Sequence, residues 1–299
     1  MIEQIAGNRR KTAALITLFV LLVVALGWAL SLLLRGGPAL MVIAAVIAVV
    51  VSFTSYYSSD RIVLAVSGAK EADRATYARY HNLVEGVCIA AGIAKPRLYV
   101  INSDSPNAFA TGRNPAHSAI AVTTGLLDKL NRVEIEGVLA HEMAHIKNED
   151  VRLMAVVATL AGLAALVADW GLRALFWGGG RRGARDAERV GGVYLLPLAL
   201  VLIILAPLAS QIIRFAISRR REFQADASGV YLTRYPPGLI SALGKISADP
   251  APLRQANVAT QHLWISEPTR KHGTRGSWWE RAFSTHPPIE ERIAALKDL

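Results

Sequence analysis

A single cysteine in 299 residues removes two classes of explanation. Cys88 has no partner for an internal disulfide, and one thiol cannot build a cysteine-based metal cluster. Its apolar helical surroundings make it a small core residue rather than a nucleophile, and so thiol-poor a chain suits a reducing compartment. Acidic residues are also scarce, with 23 Asp and Glu against 33 Lys and Arg, a formal net charge of +10. That excess could point to nucleic acid, but the basic residues cluster at Arg9, Arg10, Lys11 and at Arg214, Arg219, Arg220, Arg221, where apolar runs begin or end. The pattern favours anionic lipid headgroups and no nucleic acid. With 53% hydrophobic residues and a mean hydropathy of +0.33, the chain is too apolar for an ordinary soluble protein of two domains.

The apolar residues fall into runs. Thr12 to Leu34 carries no charge and follows basic residues, long enough at 1.5 Å per residue to cross a hydrocarbon core of roughly 30 Å. A cleaved signal peptide is its rival, but Pro38 to Tyr57 supplies a second span at once, after the turn Arg35-Gly36-Gly37-Pro38. Leu153 to Trp177, interrupted by Asp169 and Arg173, reads as a third span, with a buried helix of the soluble part as the alternative. Gly191 to Ile213 is the fourth. The predicted organisation is a transmembrane hairpin over 1–57, a first soluble part over 58–152, a second hairpin over 153–213 and a second soluble part over 214–299. Basic residues flanking the spans place the soluble parts in the cytoplasm, against Arg181, Arg182, Arg185 and Arg189 in the opposite loop.

Between the hairpins the composition turns charged and amphipathic, and Lys70 to Ala91 has helical spacing. Pro96 to Ile101 and Ala119 to Val122 are strand-like, with Asn107 to Gly112 between them as the edge of a small sheet or as an irregular loop. Then comes His141-Glu142-Met143-Ala144-His145. Two imidazoles four apart on a helix point to one side and can grip one metal ion, with a carboxylate beside the first. Asn131 followed by Glu134 reads as a capping box, and Ile135, Leu139, Met143 and Ile146 form an apolar stripe, so the helix is well specified. Zinc in a catalytic site needs a third protein ligand and keeps one position for water, whose proton Glu142 can take. The first acidic residue after the fourth span is Glu222. Asp226, one turn on, can accept a hydrogen bond from the second nitrogen of a ligand histidine. Without the histidine motif, this acidic pair would be an ordinary solvated face.

HExxH, two apolar spans and then Glu222 and Asp226 in a Glu-x-x-x-Asp together resemble the membrane-bound M48 peptidases of the HtpX heat-shock type. The resemblance extends to Asn107-Ala-Phe-Ala-Thr-Gly112, His262-Leu-Trp-Ile265 and Ser284-Thr-His-Pro-Pro-Ile-Glu-Glu-Arg-Ile293. It implies an α+β zincin-like (gluzincin) domain with four transmembrane helices and one zinc ion per subunit held by His141, His145 and Glu222. It also implies Glu142 as the catalytic carboxylate and His286 as a donor to the oxyanion. Asn107, Ala108, Phe109, Ala110 and Thr111 would bind substrate backbone as an added strand. The implied activity is hydrolysis of misfolded or damaged membrane proteins in the inner membrane. The alternatives are a processing protease of the prenyl-protein type, which has more spans, and a catalytically silent membrane sensor or scaffold. His81, His117, His262 and His272 have no partner spacing and are read as structural or exposed.

Overall fold

The structure is a computed structural model describing residues 2–34, 38–160, 219–253, 260–266 and 287–299. Two long helices come first, α1 (Ile2–Leu34) and α2 (Pro38–Val66). They are followed by strand β1 (Lys70–Glu71), helix α3 (Ala78–Ala91) and strands β2 (Arg97–Ile101), β3 (Ala108–Asn114) and β4 (His117–Thr123). Next are the short α4 (Thr124–Lys129), the histidine helix α5 (Arg132–Lys147) and α6 over 150–160. After the second break come α7 (Arg219–Thr233), α8 (Pro236–Ala248), a 3-10 turn at Gln261–Leu263 and α9 (Ile289–Lys297).

The sheet has the order β1-β2-β4-β3, with β2 and β4 parallel and the outer strands antiparallel to their neighbours. Asn107 to Gly112 therefore does run along a sheet edge, as β3. The reading of Lys70 to Ala91 as one helix is corrected at its start. Lys70 and Glu71 pair with Val100 and Tyr99, and Asp73 caps the following turn by accepting from the Thr76 N–H at 2.8 Å. A local side-chain bond and a cross-strand pairing outweigh helical spacing there.

The histidine helix is built as its cap predicts. The Asn131 side chain accepts from the Glu134 N–H at 3.0 Å, and the Glu134 carboxylate accepts from the Asn131 N–H at 2.8 Å. Glu134 also takes bonds from Ser241 (2.6 Å) and Lys245 (2.8 Å) on α8, so the cap fastens one helix to another. The apolar stripe expected on one face understates the burial. Every residue from Gly137 to Ile146 is buried, because β3 lies on one side while α3, α7 and α8 pack around the rest. Such a helix belongs to a core, and polar side chains on it must find partners inside.

Close packing needs residues without a Cβ. At Gly137 an added Cβ would lie 2.8 Å from the Leu239 nitrogen, and at Gly229 on α7 it would lie 3.0 Å from the nitrogen of His141. Gly229 thus lets α7 rest directly on the backbone of α5 at the first motif histidine. A main core joins these helices to one face of the sheet. A smaller cluster gathers Phe109, Trp264, Leu263, Val63 and Met154.

The change in composition at Ser58 is not a structural boundary, since α2 continues unbroken to Val66. Residues 151–160, the start of the predicted third span, are all buried, with Val156 and Leu160 against Phe19 of α1. The rest of that span and all of Gly191 to Ile213 lie outside the described residues. Side chains along α1 and α2 are described with interruptions, and among those described no helix is long and apolar enough to cross a membrane.

Gly229→Ala should force α7 away from α5 by a few tenths of an ångström, costing about 1–3 kcal/mol of stability as overpacked sites do. Thermal unfolding of detergent-purified protein, with metal content measured alongside, checks this, and an unchanged midpoint would mean the contact relaxes freely.

Candidate metal centre

His141 and His145 are one turn apart on α5, and Glu222 stands in the first turn of α7, which crosses α5 at Gly229. All three are buried, and their ligand atoms lie within 4.8 Å of one another. The two Nε2 atoms are 3.2 Å apart, and the Glu222 oxygens are 3.8 Å from His141 Nε2 and 3.5 Å from His145 Nε2. Ligand atoms about 2.0–2.1 Å from a tetrahedral zinc are about 3.3–3.4 Å from each other, so this triangle has the right edges.

The proton positions make the same point. His141 Nδ1 is 2.8 Å from Asp226 Oδ1 and His145 Nδ1 is 3.1 Å from Asp150 Oδ2. Each carboxylate accepts the Nδ1 proton of its imidazole and leaves Nε2 with a lone pair. Two lone pairs facing one another at 3.2 Å, with a carboxylate beside them, repel unless a cation lies between. Burial disfavours a charge on His145, but the Asp150 hydrogen bond and the charges of Glu222, Asp150 and Glu142 prevail and raise its pKa to about 9. The site therefore favours a positive charge where a metal would sit, and the residues present fit one.

Glu142, next to His141 on α5, is also buried. Burial raises its pKa above the ordinary carboxylate value, aided by Glu222 and opposed by His141, His145 and the backbone N–H of Ala110, which bonds to it. A carboxylate tuned upward beside the metal position is suited to taking a proton near neutral pH.

The Ala110 contact comes from β3. In that strand the Asn107 carbonyl accepts from Thr123 N–H on the inner side, whereas Ala108 and Ala110 face outward. The Ala108 carbonyl is bonded by the Ile265 N–H at 2.9 Å, and the Asn107 side chain donates to the Ser266 carbonyl at 2.9 Å. Phe109 packs edge-on against Trp264, and Thr111 is buried. Of the five residues read as substrate-binding, Ala108 and Ala110 present backbone on the outer edge, while Asn107 and Phe109 brace the 264–266 segment. His286 lies outside the described residues. His262 is buried with Nε2 3.2 Å from the Met154 carbonyl, and His81 Nε2 is 2.9 Å from the Ala72 carbonyl, both structural roles.

Sequence reasoning missed two members of the site. Asp150, which holds His145, lies five residues beyond it, past the helix end. Arg292 of α9 is fully buried and holds Asp226 with two bonds, Nε to Oδ2 at 2.8 Å and Nη2 to Oδ1 at 2.6 Å. It also donates to the Ile265 carbonyl at 2.9 Å and lies 3.9 Å from Glu222. Burial raises the Asp226 pKa, but the Arg292 charge and hydrogen bonds, with His141, bring it down to about 2. The signal was available, because Arg292 occupies the stripe formed by Ile289, Ile293 and Leu296, where a charge is out of place unless paired.

The family model described as Peptidase family M48 matches residues 74–299. A "Protease HtpX homolog" of Caldanaerobacter subterraneus subsp. tengcongensis is 47% identical over 294 residues, covering 98% of this chain and 96% of that protein. One from Streptococcus gordonii is 39% identical over 301 residues, covering all of both. Among solved structures, that of S. mikatae Ste24p superposes with a TM-score of 0.51 at 18% identity, covering 99% of this chain and 67% of that one. This last likeness is one of fold.

Arg292→Met should leave Asp226 buried without its cation and cost about 3–5 kcal/mol, as breaking a buried pair does. Asp226→Asn combined with Arg292→Met should recover part of that loss. Unfolding midpoints of the single and double variants decide the matter, and equal midpoints would remove Arg292 from the support of the site.

Proposed function

The chain belongs to peptidase family M48 and is a metalloprotease with the zincin-like fold of that family. We propose that its metal is zinc, bound by His141, His145 and Glu222, and that it is an endopeptidase of the inner membrane with its catalytic part in the cytoplasm, acting on misfolded or damaged membrane proteins. The observation that carries the chemistry is the triangle of three buried donors with tetrahedral edges, set beside Glu142.

Zinc, when bound, supplies a water of lowered pKa and polarises the scissile carbonyl. The remaining work belongs to the chain. Glu142 takes a proton during attack and returns it to the leaving amine. Asp226 and Asp150 hold the imidazoles in the tautomer that ligates, and Arg292 holds Asp226. With the Ala108 carbonyl bonded by Ile265 and the Ala110 N–H by Glu142, the outer edge of β3 from the Ala110 carbonyl onward is the part proposed to take a peptide in extended form, a mode that reads little sequence and so suits unfolded chain. The bond that Ile265 makes to Ala108 is the chain's own example of that pairing. His286 is proposed as the oxyanion donor on the resemblance of its Thr-His-Pro-Pro setting.

Membrane embedding of the first hairpin is supported by the surface of α1 and α2, and the second hairpin is proposed on its sequence alone. Leu18, Leu21 and Trp28 on the first helix and Val46, Val50 and Phe53 on the second are all more than half exposed, an apolar band beyond what a soluble surface carries. Basic Arg9, Arg10 and Lys11 are exposed on the part of α1 that bonds Glu149, and exposed Arg219 and Arg220 open the helix that carries Glu222, as a collar at anionic headgroups requires.

Glu142→Gln should keep its metal and its fold yet lose proteolysis of casein by about 10²-fold or more, since only proton transfer is removed. Chelation should silence the native enzyme and added zinc restore it. An active Glu142→Gln variant would falsify the mechanism.

For orientation, in a Cys88→Ser background, Tyr231→Cys on the exposed part of α7 should be shielded from a membrane-impermeant thiol reagent in intact cells. Ala184→Cys should be labelled. The opposite pattern would place the protease outside the cytoplasm.

A further inference from the structure

Asp150 must itself be held if it is to hold His145, and the group that holds it comes from the start of the chain. Asn8 of α1, buried at 6% exposure, donates from Nδ2 to Asp150 Oδ1 at 2.7 Å and to the Asn148 carbonyl at 3.1 Å. Its Oδ1 accepts from Arg221 Nη1 at 3.4 Å, and Arg221 immediately precedes the ligand Glu222. One amide thus bonds the end of the histidine helix, the carboxylate behind His145 and the residue beside the third ligand.

We propose that Asn8 is a positioning residue of the metal centre, so that the first helix is a working part of the site as well as an anchor. The proposal rests on His145 being a metal ligand. Asn148 is the C-cap of α5, where helix carbonyls lack intrahelical partners, and Glu149 follows with φ +56°. Asp150 therefore starts from a turn, and its side-chain orientation depends on what its two oxygens bond. Oδ2 faces His145 Nδ1, while Oδ1 faces Asn8 and is 3.8 Å from Arg221 Nη1. Without the amide of Asn8, the attraction to Arg221 can swing the carboxylate and draw Oδ2 away from His145.

Anchoring and positioning are separable in this helix. Arg9 grips Glu149 through two bonds, at 2.8 and 3.1 Å, and among the described residues it makes no hydrogen bond to Asp150 or Asn148. A variant at Arg9 loosens α1 from the turn without altering what holds Asp150.

The test is the rate of metal transfer from zinc- or cobalt-loaded, detergent-purified full-length protein to a chromophoric chelator, with the cobalt absorption spectrum as a second readout. Asn8→Ala should speed transfer about 10-fold or more, in the range expected when the group behind a ligand histidine is lost, while Arg9→Gln stays within about twofold of native. Asn8→Asp, isosteric but bringing a carboxylate against Asp150, should speed it at least as much, and it keeps the test open if alanine prevents folding. In an Asp150→Asn background Asn8→Ala should add nothing further, because both act through one bond. Native transfer rates in the Asn8 variants, an Arg9→Gln effect equal to that of Asn8→Ala, or additive effects of Asn8→Ala and Asp150→Asn would each overturn the proposal. Failure of the native protein to take up metal would overturn the ligand assignment with it, whereas a native protein that holds metal alongside unaffected Asn8 variants overturns this inference alone.

Discussion

Two imidazole nitrogens carrying lone pairs are held 3.2 Å apart with a carboxylate over them, and much of the surrounding structure serves that arrangement. Left to themselves the groups would separate or take up a proton. They are kept in place because α5 is buried throughout from Gly137 to Ile146, and because each Nδ1 proton is committed to a carboxylate, Asp226 behind His141 and Asp150 behind His145. Those carboxylates are fixed in turn by Arg292 and by Asn8. A polar network in a core is stable only when every member has a partner, and here the partners come from α1, α5, α6, α7 and α9.

That dispersal explains how the chain is arranged. The histidines and Glu142 lie on one helix, the third donor on another after a long intervening segment, and two of the supporting groups, Asn8 and Arg292, near the two ends of the described chain. The packing that unites them is tight enough for glycine to be needed where α7 meets α5 at His141. The smaller core around Phe109 and Trp264 holds the 264–266 segment against β3, so the strand that offers its edge and the carbonyl that Arg292 bonds belong to one rigid layer.

The parts of this site that were legible in sequence were those with short-range spacing. HExxH declares itself because 3.6 residues per turn brings i and i+4 to one side, and Glu222 with Asp226 obeys the same periodicity. The capping box at Asn131 and Glu134 was equally plain. Burial all round α5 was less so, since the apolar stripe marks one face while small residues such as Gly137 and Ala140 admit neighbours on the others. Lys70 and Glu71 were misread because strand pairing is decided by Val100 and Tyr99, far along the chain.

By itself, then, the sequence determined the chemistry: a site of nitrogen and oxygen donors, a carboxylate to move the proton, and apolar runs flanked by basic residues. Only the tertiary structure decided what holds those donors still. Asp150 and Asn8 belong to no periodic motif, Arg292 shows in sequence only as a charge within an apolar stripe, and each was recruited by position in space, because a buried charge or amide must be matched by whichever group the fold brings within hydrogen-bond reach. Helical spacing is a local property readable along the chain, whereas the partner of a buried polar group is a property of packing.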